Sequence, residues 1–366
     1  MDPVQNTHTM PASLNPPPDR ARGSAAGTGV LQAQAREVEV QAAGRLHLGF
    51  LDPSATLGRR FGSIGMMIEG STTTVRLRHA GVQRIEGVSG TLHEVGRARG
   101  IIDTLQSATG LREPLDVRLA QALAPHVGLG SGTQLALALG RAFSELHGLQ
   151  LSTPVLANLL GRGARSGIGI AGFDRGGVLV DGGPRAGVDA PPVLARLEFP
   201  DAWRVIVVQD AARSGLHGES EREGIARLGR FAQHRAAHLC HLVLMKILPA
   251  LAEREFTPFA NGVSELQRAV GEYFAPVQGG IYTSPAIGRL MRWIAAHHEA
   301  GLGQTSWGPT AFAIVPSLAH AQRIIAAAEA AGAIEGGLKL GIVAGRNQGA
   351  VVSSRPELVG ARARQA

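Results

Sequence analysis

An α+β sandwich in two domains is the fold class this sequence predicts. At 366 residues the chain exceeds what one small core organises, so two domains are the natural expectation. Strand-like alternation and helix-like periodicity take turns along it, with few hairpin signals between them. A Pro-rich stretch, GPRAGVDAPPV, interrupts that succession just before the continuous apolar run WRVIVVQD, which places a domain boundary near residues 184–200.

The elements follow in order. Residues 1–35, containing SLNPPPDRARGSAAGTG, lack apolar periodicity and read as a disordered leader. The folded chain then divides into 36–190 and 191–355, with a flexible tail at 356–366. Val38 and Val40 alternate with Glu37, Glu39 and Gln41, the pattern of a half-buried strand. Val75 and Leu77 repeat it in TTTVRLRHA, and Leu115, Val117 and Leu119 repeat it in PLDVRLAQAL. Between these two strands Ile101, Ile102 and Leu105 recur at helical spacing, and Gly110 closes that helix. Ser152 or Thr153 caps a further helix with Pro154 in its first turn, and GGVLVDGG is a short strand between glycines. The second half reads as strand WRVIVVQD, long helices at about 217–253 and 257–274, a helix at 285–299, strand TAFAIV, a helix at 317–331 and strand LKLGIVA. No internal repeat is visible.

Composition narrows the function classes. The net charge is +7, and nearly all the cations are Arg; only Lys246 and Lys339 are Lys. Arg grips carboxylates and phosphates in bidentate fashion. The charges are scattered and no zinc-finger, RNA-binding or basic-helix signature occurs, so an anionic small substrate is expected and nucleic acid is not. No run approaches the ~18 uninterrupted apolar residues of a membrane span. The longest, near residues 239–251, is broken by His241 and Lys246, and no membrane partner is expected. Cys240 is the only cysteine; it lies in an apolar helical pattern and is expected to be a buried, inert thiol. The N-terminus lacks a basic-then-apolar signal, which suggests a cytoplasmic protein.

The stretch HVGLGSGTQLALALGRA, residues 126–142, raises the central question. It spends backbone entropy on glycines immediately before a good helix. Ser131 followed by Gln134 matches a capping box, in which side chains satisfy the helix's first amides. That explains Ser131 but not Gly128, Gly130 and Gly132 together. Glycines let backbone amides approach an anion closely, and the helix N-terminus adds about half a positive charge. The loop is neither the GxxxxGK[ST] phosphate loop nor GxGxxG.

GLGSGTQLALALGRA resembles the second signature of the GHMP kinase superfamily, AAGRLHLGFLD its first, and GLGQTSWGPTAFAIV falls where the C-terminal glycine motif belongs. The departures are informative. Gly132, Thr133 and Gln134 follow Ser131 where the kinases carry a second Ser and then Ala, and Trp307 and Pro309 stand where they have more glycine. With GRLHLGFLDPSATLGRRFGSIGMMIE, GRGARSGIGIAGFDRGGVLVDGG and VQGGIYTSP, they make the chain similar to one branch, the β-ribofuranosylaminobenzene 5′-phosphate synthases. The resemblance implies a ribosomal-S5-like N-terminal domain and a ferredoxin-like α/β-sandwich C-terminal domain. It further implies condensation of 5-phosphoribosyl 1-pyrophosphate (PRPP) with 4-aminobenzoate, releasing pyrophosphate and CO2 in tetrahydromethanopterin biosynthesis. A homodimer is implied, as is Mg²⁺ carried by the pyrophosphate, with no organic cofactor. The alternatives are an ATP-dependent small-molecule kinase and a non-catalytic ligand-binding protein on the same fold.

Candidate residues follow from that chemistry. The loop residues Gly128, Gly130, Ser131, Gly132, Thr133 and Gln134 would hold phosphate, with Ser306 and Trp307 beside them; Trp307 either stacks on the aromatic acceptor or is plain core. Arg45 and His47 alternate on one strand face, and His47 either meets a phosphate oxygen or is a structural histidine. Asp52 and Arg59 match the branch's LD…LGR segment. Arg59 would neutralise pyrophosphate or orient the benzoate carboxylate, and Asp52 would stabilise ribosyl cation character, accept from the aryl amine, or simply cap a turn. Asp174 lies near the acidic residue of the kinases and would meet a sugar hydroxyl or a metal. His234, His238 and His241 have a metal-compatible spacing but no further ligand nearby in sequence, so no metal site is assigned.

Overall fold

The computed structural model describes residues 37–355 except Ser214, Leu216, His217 and Trp307, so the expected leader and tail lie outside the described residues. Two sheets carry the fold. In the first, β1 (Glu37–Asp52) and β2 (Phe61–His79) form a long antiparallel hairpin. β4 (Leu115–Gln121) continues it beyond β2, with β3 (Arg84–Gly87) parallel alongside. β5 (Val178–Asp181) pairs with another part of β2 and carries β6 (Val193–Leu197), and β11 (Val351–Arg355) lines the outer edge of β1. The alternation read in the sequence has its physical basis here. Val38, Val40, Leu77 and Leu119 point into one core with Leu105 of α1 (Val95–Thr109) and Leu139 and Phe143 of α2 (Ser131–Leu146). α3 (Thr153–Leu159) and α4 (Ile168–Arg175) complete that layer.

The second sheet has the order β10-β7-β9-β8, built from β7 (Arg204–Asp210), β8 (Gly301–Gln304), β9 (Ala311–Val315) and β10 (Leu338–Val343). β7 is apolar without alternation because both its faces are covered. Ile206 and Val208 pack with Leu290 and Ile294 of α9 (Pro285–His297) and with Ile324 of α10 (Leu318–Ala330). Val205 and Val207 pack with Phe259 and Leu266 of α8 (Phe256–Gln278). The same α8 core includes Leu46 and Leu48 of β1, so this helix joins the two halves.

Several elements differ from the sequence reading. β6 and β11 come from the far side of the expected boundary at 190/191 yet belong to the first sheet, because β5 and β1 would otherwise present unpaired edges. The helix expected over 217–253 is α5 (Gly218–Arg227), α6 (Gln233–Leu242), a π turn (Val243–Ile247) and α7 (Leu248–Glu253). Pro249 lacks an N–H, so the regular ladder fails there and the Leu248 amide reaches back to the Val243 carbonyl. The stretch Gln233–Glu253 is long and apolar enough to cross a membrane, but Leu239, Leu242 and Ile247 are spent in the core. β8, sequence GLGQ, was not expected, since glycine and glutamine carry little strand propensity.

Candidate active site

A cavity of about 390 Å³ lies where β1, the loop into α2, the α3–α4 loop, α8 and the β8–β9 turn meet. Arg45 and His47 both line it, as their spacing on one strand face requires. The glycine loop forms its floor: Gly128, Gly130, Ser131, Gly132 and Thr133 all line the cavity.

The expected capping box does not form. Gly130, at φ 80°, is the residue before the helix, and no side chain caps it. Ser131 is therefore the first helical residue, one position too late for its hydroxyl to cap. Gln134 is buried and donates Nε2 to the Gly169 carbonyl at 2.9 Å, so it holds α4 against α2 and does not line the cavity. The Ser131 and Gly132 amides, which precede the first intrahelical bond, stand at the cavity floor, while the Thr133 amide donates to the Gly130 carbonyl at 3.1 Å. Gly128 has φ 85°, and a Cβ there would stand 2.6 Å from the Thr305 carbonyl oxygen. Gly128→Ala is expected to cost about 1–3 kcal/mol in stability and to remove most activity by tilting the loop, while α2 still forms. Circular dichroism with a urea melt and an initial-rate assay check this; a fully active variant would show that the loop's path is not critical.

Cations surround the floor. Arg45 donates Nη1 to the Gly128 carbonyl at 2.5 Å. The place where a Cβ would stand on Gly132 lies 3.5 Å from Arg162 Nη1 and 3.7 Å from Arg97 Nη1. Arg97 is bound to Glu94, whereas Arg162 Nε is buried without a hydrogen-bond partner. Burial and the neighbouring Arg97 lower the pKa of Arg162. A cation held under such conditions is suited to an incoming anion. Arg165 and Ser166 line the cavity from the same loop.

Thr305 ties the third glycine motif to the first two. Its hydroxyl donates to the Gly128 carbonyl at 2.8 Å and accepts from the His47 amide at 2.9 Å. Gln304 Oε1 accepts from the Thr283 amide at 2.8 Å, which explains why VQGGIYTSP accompanies the motif. Ser306 and His126, both cavity-lining, have left-handed backbones at φ 52° and 59°, a costly conformation outside glycine that clusters at functional sites. Trp307 lies outside the described residues.

Other expected residues stand elsewhere. Asp52 caps its own turn: its carboxylate accepts from the Ser54 amide at 3.1 Å and from the Thr56 amide and hydroxyl, both at 2.7 Å. Exposed Arg59 donates to the Gly183 carbonyl at 3.1 Å, and neither residue lines the cavity. Asp174 is exposed at the end of α4, where it accepts from Thr153 Oγ1 at 2.5 Å, away from the cavity wall. His234, His238 and His241 are exposed, and His238 pairs with Glu265 at 2.8 Å. Cys240 is exposed rather than buried, because the helix turns its Leu239 and Leu242 face inward. Partial burial of the sulfur and the Asp52 charge push its thiol pKa up, disfavouring the thiolate.

The sequence reading missed Asp181. This buried carboxylate accepts from Ser63 Oγ, Ser166 Oγ, the Gly167 amide at 3.0 Å and the Gly183 amide at 2.8 Å. It therefore anchors the loop that carries Arg162 and Arg165. The alternation of Arg with Gly in GRGARSG was the available signal for that loop; nothing in sequence marked the carboxylate behind it.

The GHMP kinases N terminal domain family matches residues 96–177, and the GHMP kinases C terminal family matches residues 247–334. A curated protein of Archaeoglobus fulgidus, beta-ribofuranosylphenol 5′-phosphate synthase, is 32% identical over 285 residues, covering 75% of this chain and 86% of that protein. This chain belongs to the beta-ribofuranosylphenol 5′-phosphate synthase family. The Methanothermobacter thermautotrophicus member of the family is 29% identical, covering 86% of this chain and 98% of its own. Family membership makes the chain an enzyme. The family's fold is shared with kinases. Homoserine kinase from Cytophaga hutchinsonii superposes with TM-score 0.64 at 17% identity, over 89% of this chain and 100% of that one. Mevalonate diphosphate decarboxylase from Staphylococcus aureus gives 0.60 at 15%, over 87% and 98%.

Proposed function

We propose that this enzyme transfers the 5-phosphoribosyl group of PRPP to the ring of a para-substituted benzoate, with loss of CO2 and pyrophosphate. The observation that carries this reading is a glycine loop at a helix N-terminus ringed by Arg45, Arg162 and Arg165, in a cavity that no carboxylate lines among the described residues. Such a floor suits a substrate with several phosphate charges. The bond from ribose C1 to the pyrophosphate oxygen breaks and leaves an oxocarbenium-like sugar. The ring carbon bearing the carboxylate attacks C1. The C–CO2 bond then breaks and its electron pair restores the aromatic ring. No ring C–H is removed, so no general base is needed there, and the protein's work is to hold the leaving charge and place the ring.

Asp52, Arg59 and Asp174 stand outside the cavity and take no part in this reading; Arg45, Arg162, Arg165 and the loop amides take the phosphates. Mg²⁺ fits only as cargo of the pyrophosphate, because the described lining offers hydroxyls and no carboxylate to hold a resident ion. Two acceptors share the required electron push. 4-Aminobenzoate gives an aminobenzene product, and 4-hydroxybenzoate would give the phenol that names the curated relatives. The proposed setting is tetrahydromethanopterin biosynthesis in the cytoplasm, with the amino acceptor. Incubation with PRPP and each carboxyl-labelled acceptor, with and without Mg²⁺, tests this. Labelled CO2 is expected only when PRPP is present. Consumption of ATP with PRPP left intact would overturn the reading in favour of a kinase.

A further inference from the structure

The cavity has two chemically different ends, a cationic floor at the glycine loop and an apolar wall opposite it. Away from the glycine loop its wall is Gly49 and Phe50 of β1 with Val270 and Phe274 of α8. A β-bulge between His47 and Gly49 breaks the strand's alternation. In a regular strand residues three apart face opposite sides; here the bulge brings the Phe50 ring to 4.5 Å from the His47 ring, on the cavity side. Phe274 stands 6.3 Å from Phe50, centroid to centroid, at 54°. Phe274 is buried, while Phe50 and Val270 keep part of their surface open to the cavity. Gln267, the amide at this end, is already committed: it donates to the Leu48 carbonyl and accepts from the Gln304 amide at 2.8 Å. His47, at the junction of the two ends, keeps a buried Nε2 with no partner.

We propose that this aromatic end seats the benzoate ring, with Phe50, Val270 and Phe274 as its specificity-determining contacts. This rests on the ribosyl-transfer reading above. Rings inclined to one another at such separations form an edge-to-face site for a third ring, and an open aromatic face beside a cationic floor suits an aryl group attacking a bound sugar phosphate. β1 then serves both substrates, Arg45 on the phosphate side and Phe50 on the ring side of one bulge.

Val270→Phe should fill the seat. KM for 4-hydroxybenzoate or 4-aminobenzoate is expected to rise about tenfold or more, with KM for PRPP within about twofold. Phe274→Leu should raise the acceptor KM about three- to tenfold. Arg162→Gln at the other end should show the reverse pattern. A rise in the PRPP constant alone for Val270→Phe, in a variant that melts like the wild type, would overturn the proposal. Saturation-transfer NMR of each aryl acid with the full-length protein separates this from the activity itself. If the wild type binds the acid but turns over nothing, the reaction is wrong; loss of that binding in Val270→Phe still supports the seat, and unchanged binding refutes it. A wild type that binds no aryl acid also refutes it.

Discussion

Asp181→Ala is expected to lower folding stability by about 3–5 kcal/mol and to raise the KM for PRPP at least about tenfold. The carboxylate is almost wholly buried and faces Ser63 across the β2–β5 register. Burial raises its pKa, while its four donors work in the opposite direction by stabilising the charged form. Removing it leaves two hydroxyls and two backbone amides without their acceptor in a site water cannot freely enter. Orphaned buried donors cost about 1–3 kcal/mol each when they cannot relax, and the hydroxyls can turn to one another: Ser63 and Ser166 already stand 2.7 Å apart. The Gly167 and Gly183 amides have no such freedom. The kinetic effect follows from position: Ser166 and Gly167 end the loop that holds Arg162 and Arg165 over the phosphate floor. Asp181→Asn keeps one acceptor oxygen but sets an NH2 among donors, so it should fall between. Urea denaturation and initial rates at varied PRPP measure both effects. A change below about 1 kcal/mol for the alanine variant would show that the network is incidental.

Much of this site was legible in the sequence, and the boundary of legibility has a physical shape. Local periodicity placed Arg45 and His47 on one face, and glycine spacing placed the loop at the start of α2. Both are contacts a chain makes with its own neighbours. Asp52 and Asp174 became candidates through resemblance, Asp52 to the branch's LD…LGR segment and Asp174 to the acidic residue of the kinases, yet Asp52 caps a turn and Asp174 accepts from Thr153. Thr305 and Asp181 matter through partners 177 and 118 residues away, and no local pattern carries such pairing. The aromatic end was hidden for a sharper reason. Phe50 faces the cavity only because of a bulge, and strict alternation from His47 would have sent it to the other side. The break between the halves was overstated because a Pro-rich stretch reads as a linker, whereas β6 directly behind it is a strand of the first sheet.

Acidification below pH 6.5 is expected to destabilise this protein through His47. Burial first, and the adjacent Arg45 charge second, bring its pKa down from 6.5 to about 3. The folded state therefore binds fewer protons than the unfolded chain between those values. The stabilising contribution is complete above pH 6.5 and falls as pH drops, by about 1.4 kcal/mol per unit, levelling near pH 3. Between pH 6.5 and 5 the loss from this residue is about 2 kcal/mol. Asp181 works in the opposite sense, since its raised pKa makes the folded state take up a proton first, so the informative quantity is the difference between proteins. His47→Gln should flatten the slope of stability against pH over this interval, even if it lowers stability at pH 7. Pyrophosphate should act in the same direction in the wild type. An anion beside Arg45 offsets the charge that depresses His47, raises the histidine's pKa and reduces its acid sensitivity. Chemical denaturation at pH 7, 6 and 5, with and without pyrophosphate, checks both effects. Equal slopes for wild type and His47→Gln would mean that the imidazole titrates normally in the folded protein and would overturn the assignment of the acid sensitivity to its burial beside Arg45.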